Sequence, residues 1–215
     1  MKIRLRAGTA AKPRKLSVEL AELRDRSGER ALTLREVIYL LGGRAYTLLV
    51  LLLALPFITP IPLPGLSVPF GVAIALIALR LSLGQKPWLP KKLQRKELPP
   101  GFINKVFTFA EKVLRFFEKF LRPRLTLLTD TPLLVQLHAM LMLLAALALL
   151  LPLPIPFTNS FPAWVILLMA AGLLERDGFF ILAAYVVFAA GVFYFVFLGE
   201  AAAQLVQALF NWLGR

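Results

Sequence analysis

Five charged side chains stand in or beside the apolar parts of this chain, and they are the first candidates for ion or proton chemistry. They are Glu175, Arg176, Asp177, Arg44 and Arg80. An ionisable group at membrane depth is costly, so it is paired or faces water and is a functional candidate by default. Residues 175–177 are equally explained as a charged turn, and the two arginines as side chains that reach lipid headgroups. A pairing of one arginine with Glu175 or Asp177 is a further hypothesis.

Two Pro-x-Pro-x-Pro strings provide a second kind of candidate site, made of backbone groups. Proline lacks an amide donor and favours extended geometry, so no helix continues through either string. Pro69 and Pro162 follow the strings and suit the first turn of a new helix, with Ser67, Asn159 or Ser160 as caps. The freed amides would bind an anion or a polar headgroup, and the carbonyls of the broken backbone would hold cations. The candidate positions are Pro60, Pro62, Pro64, Ser67, Pro152, Pro154, Pro156, Asn159 and Ser160.

This interpretation requires the breaks to lie inside the membrane, surrounded by protein or by a water-filled cavity. The alternative is that each string is a tight turn at the outer surface between two ordinary helices. The segment from Ala45 to Phe57 is too short for a bilayer core of about 30 Å at about 1.5 Å per residue. This short length favours re-entrant hairpins.

Other kinds of chemistry have no support in the sequence. His138 is the only histidine and there is no cysteine, so no metal site, thiol chemistry or disulfide is expected. The sequence shows no Ser/His/acid arrangement of a catalytic triad, no phosphate-binding loop and no cluster of acidic residues with the spacing of metal ligands. We therefore predict a protein that is not an enzyme and has no cofactor, with His138 in a structural role.

The composition indicates an integral membrane protein. Hydrophobic residues make up 59% of the 215 residues and charged residues 17%, whereas soluble domains are roughly a quarter charged. Ala45 to Leu79 has no charged side chain, and Thr131 to Leu174 has none apart from His138. A bilayer solvates such runs and water does not.

Most of the net charge of +13 lies outside these runs. Residues 1–36 contain ten Lys/Arg and five Asp/Glu, and residues 84–124 contain eleven and three. Short loops rich in Lys/Arg remain cytoplasmic, so we expect a multi-pass membrane protein with both segments on that side, in contact with membrane lipids. Nucleic-acid binding is the rival explanation of a pI near 10.6. It is not expected, because the cations flank membrane-grade segments.

The same patterns predict an all-α fold with an internal repeat. The two proline strings align at an offset of 92 residues, and the flanking apolar segments match in length and order. The predicted segments are a basic N-terminal tail with an amphipathic helix (1–32), repeat 1 (33–84), a basic linker with an interfacial amphipathic helix (85–125), repeat 2 (126–178), and a C-terminal transmembrane helix and tail (179–215).

Each repeat is predicted to be a re-entrant helical hairpin, and Phe179 to Leu198 to be one complete transmembrane helix. The linker helix carries too many charges to cross lipid unaided, so both hairpins are expected to start and finish on the cytoplasmic face. Its interleaved phenylalanines and cations are typical of a helix that lies in the plane of the interface.

Four ordered motifs give the chain a resemblance to a known family. They are Leu55-Pro56 with Pro60-x-Pro62-x-Pro64-Gly65-x-Ser67, Gly84-x-x-Pro87-Trp88-Leu89-Pro90, Glu118-x-x-x-Arg122-Pro123-Arg124-Leu125, and Gly172-Leu173-Leu174-x-Arg176-Asp177-Gly178. Together they resemble the ExoD family of bacterial exopolysaccharide-synthesis membrane proteins over residues 15–200. The chain departs from the family pattern at Arg80, at or near which the family has Gln, and at Gly84-Gln85, where the family has Gly-Arg. The resemblance implies a bacterial inner-membrane protein connected with exopolysaccharide production, and it implies no molecular activity.

Two functions fit these observations best, and a membrane enzyme is the third and least expected. The first is a small transporter or channel for ions or solutes, in which the two breaks form the pathway and Arg176 and Asp177 gate or couple it. The alternative is a non-transporting membrane component that binds lipid-linked saccharides or polysaccharide-synthesis proteins through its basic interfacial surface. Because 215 residues provide few helices, a complete transport pathway is expected to require a homodimer.

Overall fold

The computed structural model describes residues 17–18, 20–21, 32–33, 44–59, 65–85, 97–98, 100–151, 155 and 157–213. In chain order the elements are β1 (Leu32–Thr33), α1 (Arg44–Ala54), a 3-10 turn (Leu55–Phe57), α2 (Ser67–Ser82), β2 (Glu97–Leu98), α3 (Pro100–Phe117), α4 (Leu127–Asp130), α5 (Pro132–Leu149), α6 (Ser160–Glu175) and α7 (Gly178–Leu213). The prediction of an all-α chain is confirmed, with one two-residue strand pair as the extended structure among the described segments.

The chain divides into two compact units, which are treated separately below. Unit 1 comprises Met1–Leu40 and Lys91–Phe120, and unit 2 comprises Leu41–Pro90 and Leu121–Arg215.

Unit 1 contains α3 and the antiparallel pair of β1 and β2, in which Thr33 lies opposite Glu97. The Glu118 carboxylate accepts hydrogen bonds from the backbone N–H of Ser17 at 3.0 Å and from the Ser17 hydroxyl at 2.7 Å. This contact joins a helical segment near the N-terminus to the end of α3. Phe107, Ala110 and Leu114 form the buried side of the helix.

Unit 2 is a helical bundle of two hairpins, α1–α2 and α5–α6, in which the first helix of each hairpin packs against the second helix of the other. The helix α2 packs against α5, and α1 packs against α6. The α2–α5 pair is antiparallel, because Gly71 near the start of α2 faces Leu150 while Gly84 beyond its end faces Gln136. The α1–α6 pair is antiparallel as well, since the Trp164 indole N–H in α6 donates to the Ile58 carbonyl that follows α1.

The centre of the bundle is α6, which contacts α1, α5 and α7. Eleven of its 16 residues are buried, and its apolar residues extend around the whole helix, as expected for a helix enclosed by others. The antiparallel α7 crosses it closely enough for Gly191 to lie against Phe161. The core of unit 2 therefore follows the axis of α6.

Two helices of unit 2 are long and apolar enough to span a membrane, within Pro132–Leu149 and Gly178–Ala201. Three shorter helical segments are apolar as well, namely Arg44–Phe57, Ser67–Ser82 and Ser160–Glu175. Large apolar side chains are exposed along α7, among them Val186, Phe193 and Phe197. An extended apolar surface of this kind indicates contact with lipid or protein rather than water, so these helices indicate membrane association.

The last helix is longer than the sequence interpretation proposed. Instead of ending near Leu198, α7 continues for 36 residues from Gly178 to Leu213. No proline interrupts it, and the alanines that follow Glu200 are strong helix formers. The expected separate stretch after the membrane span is thus part of the same helix.

We predict that Gly71→Val destabilises unit 2, because a Cβ at this position would lie 2.8 Å from Leu150 Cδ2 and 3.2 Å from Leu150 Cγ. Overpacking of this kind costs about 1–3 kcal/mol. The Tm of the detergent-solubilised protein should therefore fall by several degrees in thermal unfolding. Gly199→Val is the matched control, since a Cβ at Gly199 has no atom within 4 Å. Equal losses in the two variants would contradict close packing of α2 against α5.

Candidate functional site

A buried carboxylate joins two distant parts of unit 2. Asp177 lies between α6 and α7, and its side chain is 0% exposed. The Arg124 Nε–H donates to both carboxylate oxygens, at 2.9 Å to Oδ1 and 3.1 Å to Oδ2. The backbone N–H of Arg122 donates to Oδ2 at 3.0 Å, and that of Phe179 donates to Oδ1 at 3.0 Å. We call this set of contacts the Asp177 clasp.

The local backbone explains why the carboxylate points inward. Arg176 has a φ of 58° and ends α6 in the left-handed region. The Asp177 N–H then donates to the Gly172 carbonyl at 2.8 Å, a bond that is common at helix ends of this type. With Gly178 as the first residue of α7, the contact with the Phe179 N–H makes Asp177 the N-cap of that helix. One residue therefore ends α6, begins α7 and holds the segment at Arg124.

Two glycines allow the backbones to approach this closely. The Gly178 N–H donates to the Arg124 carbonyl at 2.8 Å, and a Cβ on Gly178 would lie 2.7 Å from the Leu125 carbonyl oxygen. A Cβ on Gly172 would lie 2.9 Å from the Asp177 carbonyl oxygen. Neither position accepts a larger residue without a shift of backbone.

The charges of the clasp are arranged so that the negative group is inside and the positive group reaches the surface. The Arg124 side chain is 45% exposed, and its guanidinium carbon lies 4.7 Å from the centre of the Phe179 ring, within the range of a cation–π contact. A buried ion pair is stable only when further hydrogen bonds satisfy the carboxylate, and the backbone donors supply them. This saturation is typical of a structural carboxylate.

The neighbouring ion pair is different, because both of its members are accessible. Arg176 Nε donates to Asp130 Oδ1 at 2.9 Å, and the two side chains are 55% and 42% exposed. The hydrogen bond and charge of Asp130 raise the pKa of Arg176. Solvent screens such a pair, so its contribution to stability is small.

The hypothesis was that Arg44 or Arg80 pairs with Glu175 or Asp177. Asp177 pairs with Arg124 instead, and a pairing with Glu175 stays a prediction. Arg44 is the first residue of α1 and Arg80 is in the last turn of α2. Glu175 is the last residue of α6. The antiparallel packing places these residues at the same end of the bundle as the clasp, which we call the charged end.

At the opposite end of α6, the segments beside the two proline strings meet. The Ser160 hydroxyl donates to the Thr59 carbonyl at 3.0 Å, and the Trp164 indole N–H donates to the Ile58 carbonyl at 3.1 Å. We call these four residues the break junction. The predicted site residues Pro60, Pro62, Pro64, Pro152, Pro154 and Pro156 lie outside the described residues.

Of the three predicted cap residues, Asn159 is the one that occupies an N-cap position. Residue Leu66 occupies the N-cap of α2, and Ser67 is the first helical residue and is buried. Asn159 is at the N-cap of α6 without a side-chain capping bond, and the Ser160 hydroxyl is directed to the other hairpin. Pro69 and Pro162 do lie in the first turns, as predicted. Proximity to the second hairpin, which sequence does not show, decides where these hydroxyls bond.

An apolar crevice lies at the same end of α6 as the break junction. It has a volume of about 100 Å³ and lies between α5, α6 and α7. Phe161 and Pro162 in the first turn of α6 form the part next to Ser160. The full lining is Ala145, Ala148, Phe161, Pro162, Val165, Val187, Phe188, Gly191, Val192 and Phe195. Such a cavity excludes water and accepts an apolar group.

His138 has the structural surroundings expected of it. It is buried in α5, with Nε2 at 3.0 Å from the Leu128 carbonyl and Nδ1 at 2.9 Å from the Tyr185 hydroxyl. The neutral tautomer that carries the proton on Nε2 satisfies both contacts. No cluster of three or more metal-ligating side chains occurs within the described part of the chain.

Comparison with known proteins decides the family. The family model described as "Exopolysaccharide synthesis, ExoD" matches residues 16–197. The chain belongs to the ExoD family. The ExoD-family relative named Protein ExoD, from Rhizobium meliloti, is 33% identical over 179 residues, which cover 83% of this chain and 75% of the relative. An uncharacterised protein of Synechocystis sp. is 30% identical over 181 residues, covering 83% of this chain and 80% of its own length. No solved structure matches significantly.

The Asp177 clasp joins two of the motifs that carry the ExoD resemblance. One motif contains Arg122 and Arg124, and the other runs from Gly172 to Gly178. Sequence interpretation selected Asp177 and Arg176 as candidates and did not select Arg124, although the motif that contains it is part of the resemblance. The crevice and Trp164 were missed as well, because apolar residues in a helix give no signal of which ones border a cavity.

We predict that Asp177→Asn strongly destabilises this ExoD-family protein. The new amide NH₂ would face the donors that now bind a carboxylate, and breaking a buried pair costs about 3 kcal/mol or more. Asp130→Asn breaks the exposed pair with Arg176 and should cost at most about 1 kcal/mol. Thermal unfolding in detergent compares the two variants. Similar Tm values for both would contradict a stabilising role for the clasp.

Proposed function

We propose that this ExoD-family chain is a multi-pass protein of the bacterial inner membrane that binds a lipid-linked saccharide at the break junction, as a non-transporting component of exopolysaccharide synthesis. The observation that carries the proposal is that a polar, uncharged junction and an apolar crevice occupy the same end of α6. A lipid-linked saccharide has the same two parts, a polar head and a long apolar tail.

The polar part of the site consists of hydroxyl, carbonyl and indole groups. Ser160 and Trp164 already donate to backbone carbonyls of the other hairpin, while Asn159 has a buried side-chain oxygen without a hydrogen-bond partner among the described residues. The Trp164 side chain is held at its N–H and is partly exposed. A few fixed polar groups and an aromatic ring beside an apolar pocket are typical of small-molecule sites.

The apolar part of the site is the crevice of about 100 Å³, which is bordered by the lipid-exposed helix α7. A polyprenyl or acyl tail would fill it without leaving a polar group unsatisfied. The charged end is remote from both parts, because α6 has 16 residues and is about 24 Å long at about 1.5 Å per residue. The Asp177 clasp would therefore fix the scaffold of the site without contact with the ligand.

The helix lengths support re-entrant hairpins as part of this proposal. With 16 residues each, α2 and α6 are shorter than the roughly 30 Å of a bilayer core. The charged end would lie at the cytoplasmic face, where Lys/Arg-rich loops remain. The break junction would then lie within the membrane, deeper than the cytoplasmic headgroups. A polyprenyl-linked headgroup would reach this depth when it moves out of the cytoplasmic leaflet.

The binding test uses a polyprenyl diphosphate saccharide with a diazirine in its tail, captured by light in lipid nanodiscs that contain the purified protein. Mass spectrometry should place the adduct on residues of α5, α6 or α7 that line the crevice. Ala148→Phe fills the crevice and should reduce capture severalfold. Val186→Phe adds the same ring to an exposed position outside the crevice and should leave capture unchanged.

Two outcomes would contradict the proposal. One is equal capture by the wild type and Ala148→Phe. The other is equal competition by the unglycosylated polyprenol, because that result would assign binding to the tail alone and leave the break junction without a role.

A second candidate is the small ion or solute transporter or channel, favoured by one observation. The segments next to two broken helices meet at Thr59 and Ser160, and paired helix breaks form the ion sites of many transporters. Here the residues of the pathway would be those of the break junction, since the Asp177 carboxylate is saturated. Flux into proteoliposomes that is abolished by Ser160→Ala would support transport, and flux-free vesicles that retain saccharide capture would support binding alone.

The internal repeat and the homodimer belong to the same proposal. An offset of 92 residues superimposes α1 on part of α5 and α2 on α6, and the crosswise packing of α1 with α6 and α2 with α5 supports a duplication. A homodimer would place two such sites in one particle, and polysaccharide-synthesis proteins would be its partners. Native mass measurement of a strictly monomeric, saccharide-binding particle would count against the dimer.

A further inference from the structure

We propose that the exposed face of α3 in unit 1 binds the surface of a bilayer that contains anionic lipids. This inference is independent of the saccharide site, because it rests on a helix of the other unit. We define the α3 face as Lys105, Phe109, Lys112 and Phe116 of α3 together with Lys119 and Phe120 in the turn that follows the helix.

The face combines a row of cations with a row of aromatic rings. The three lysines are spaced by seven residues, and Phe109 and Phe116 have the same spacing. Within α3 each row therefore follows one side of the helix, and Lys119 lies in the turn just beyond its end. All six side chains are exposed, and the three phenylalanines are 54%, 59% and 57% exposed. The Phe116 and Phe120 rings lie 5.4 Å apart, centroid to centroid, and form a continuous apolar patch.

The acids of the same segment are directed away from this face. Glu111 is 8% exposed and pairs with Arg115 at 2.5 Å. The Glu118 carboxylate is occupied by the Ser17 N–H and hydroxyl. The helix therefore presents its positive charge outward while its negative charge is bound by neighbouring groups, which a sequence count of charges does not reveal.

The charge and shape of the face together select the partner. A solvated charged surface has no need of three exposed phenylalanines, whereas an amphipathic helix in the bilayer interface inserts such rings and keeps its lysines at the headgroups. The lysines are complementary to anionic headgroups, and each contributes roughly a fivefold attraction close to the surface.

The test exploits the absence of cysteine from the chain. Thr108→Cys introduces one thiol at an exposed position next to Phe109, and an environment-sensitive fluorophore is attached to it in the full-length protein. The protein is reconstituted in vesicles of phosphatidylcholine alone or with phosphatidylglycerol, each with or without a lipid that carries a quenching nitroxide in its acyl chain. We expect a blue shift and nitroxide quenching that increase with the phosphatidylglycerol content.

Substitutions separate the two rows. Lys105→Gln, Lys112→Gln and Lys119→Gln together should lower the docking equilibrium in anionic vesicles by about a hundredfold and remove the dependence on phosphatidylglycerol. The corresponding triple substitution to Arg keeps the positive charge, so it should retain both the docking and its dependence on phosphatidylglycerol. Phe109→Ser with Phe116→Ser should reduce the quenching in vesicles of both compositions. All of these positions are exposed, and retention of a monodisperse particle in detergent verifies that each variant is folded.

Three results would overturn the proposal. The first is a label that remains accessible to a water-soluble quencher in anionic vesicles. The second is a lysine-to-glutamine variant that behaves like the wild type. The label can also be protected from the water-soluble quencher without quenching by the lipid nitroxide. That last result would show that a protein surface covers the α3 face instead of lipid.

Discussion

The arrangement of unit 2 depends on one buried carboxylate. Asp177 is removed from solvent, and an unpaired charge at such a position would cost several kcal/mol. Arg124 neutralises it, and two backbone N–H groups complete its hydrogen bonding. The same residue ends the central helix α6 and caps α7. Electrostatics as well as packing therefore fixes the interhelical angle between α6 and α7. The crevice between these helices depends on that angle.

The bundle separates its polar groups into two classes at opposite ends of α6. Formal charges are gathered at the charged end, around Arg124, Arg176 and Asp177. The other end has hydroxyl, indole and carbonyl groups, which pair between the hairpins at Thr59 and Ser160. This separation suits a bilayer, because charges are tolerated at the headgroups whereas neutral hydrogen-bonded groups are tolerated deeper.

Sequence reasoning correctly predicted the features that depend on local composition. The apolar helices and the positions of Pro69 and Pro162 in first turns follow from residue types and short spacings. The partner of Asp177 could not be predicted, because the pair joins residues 53 apart and the chain has 25 Lys/Arg from which to choose. The direction of the Ser160 hydroxyl was missed for the same reason, since it depends on a hairpin 101 residues away. The end of α7 was placed too early because a loss of hydrophobicity was taken as the end of a helix.

The uninterrupted length of α7 has a mechanical consequence. Its 36 residues extend about 54 Å at about 1.5 Å per residue, and even a tilt of about 40° leaves a projection of about 41 Å along the bilayer normal. A hydrocarbon layer of about 30 Å cannot enclose that length, so in the proposed multi-pass arrangement the end of α7 would emerge from the leaflet opposite the clasp. A partner bound at the C-terminal end of α7 would be held at a fixed distance from the lipid. A force on that end would be transmitted along the continuous helix to its first residue, Gly178.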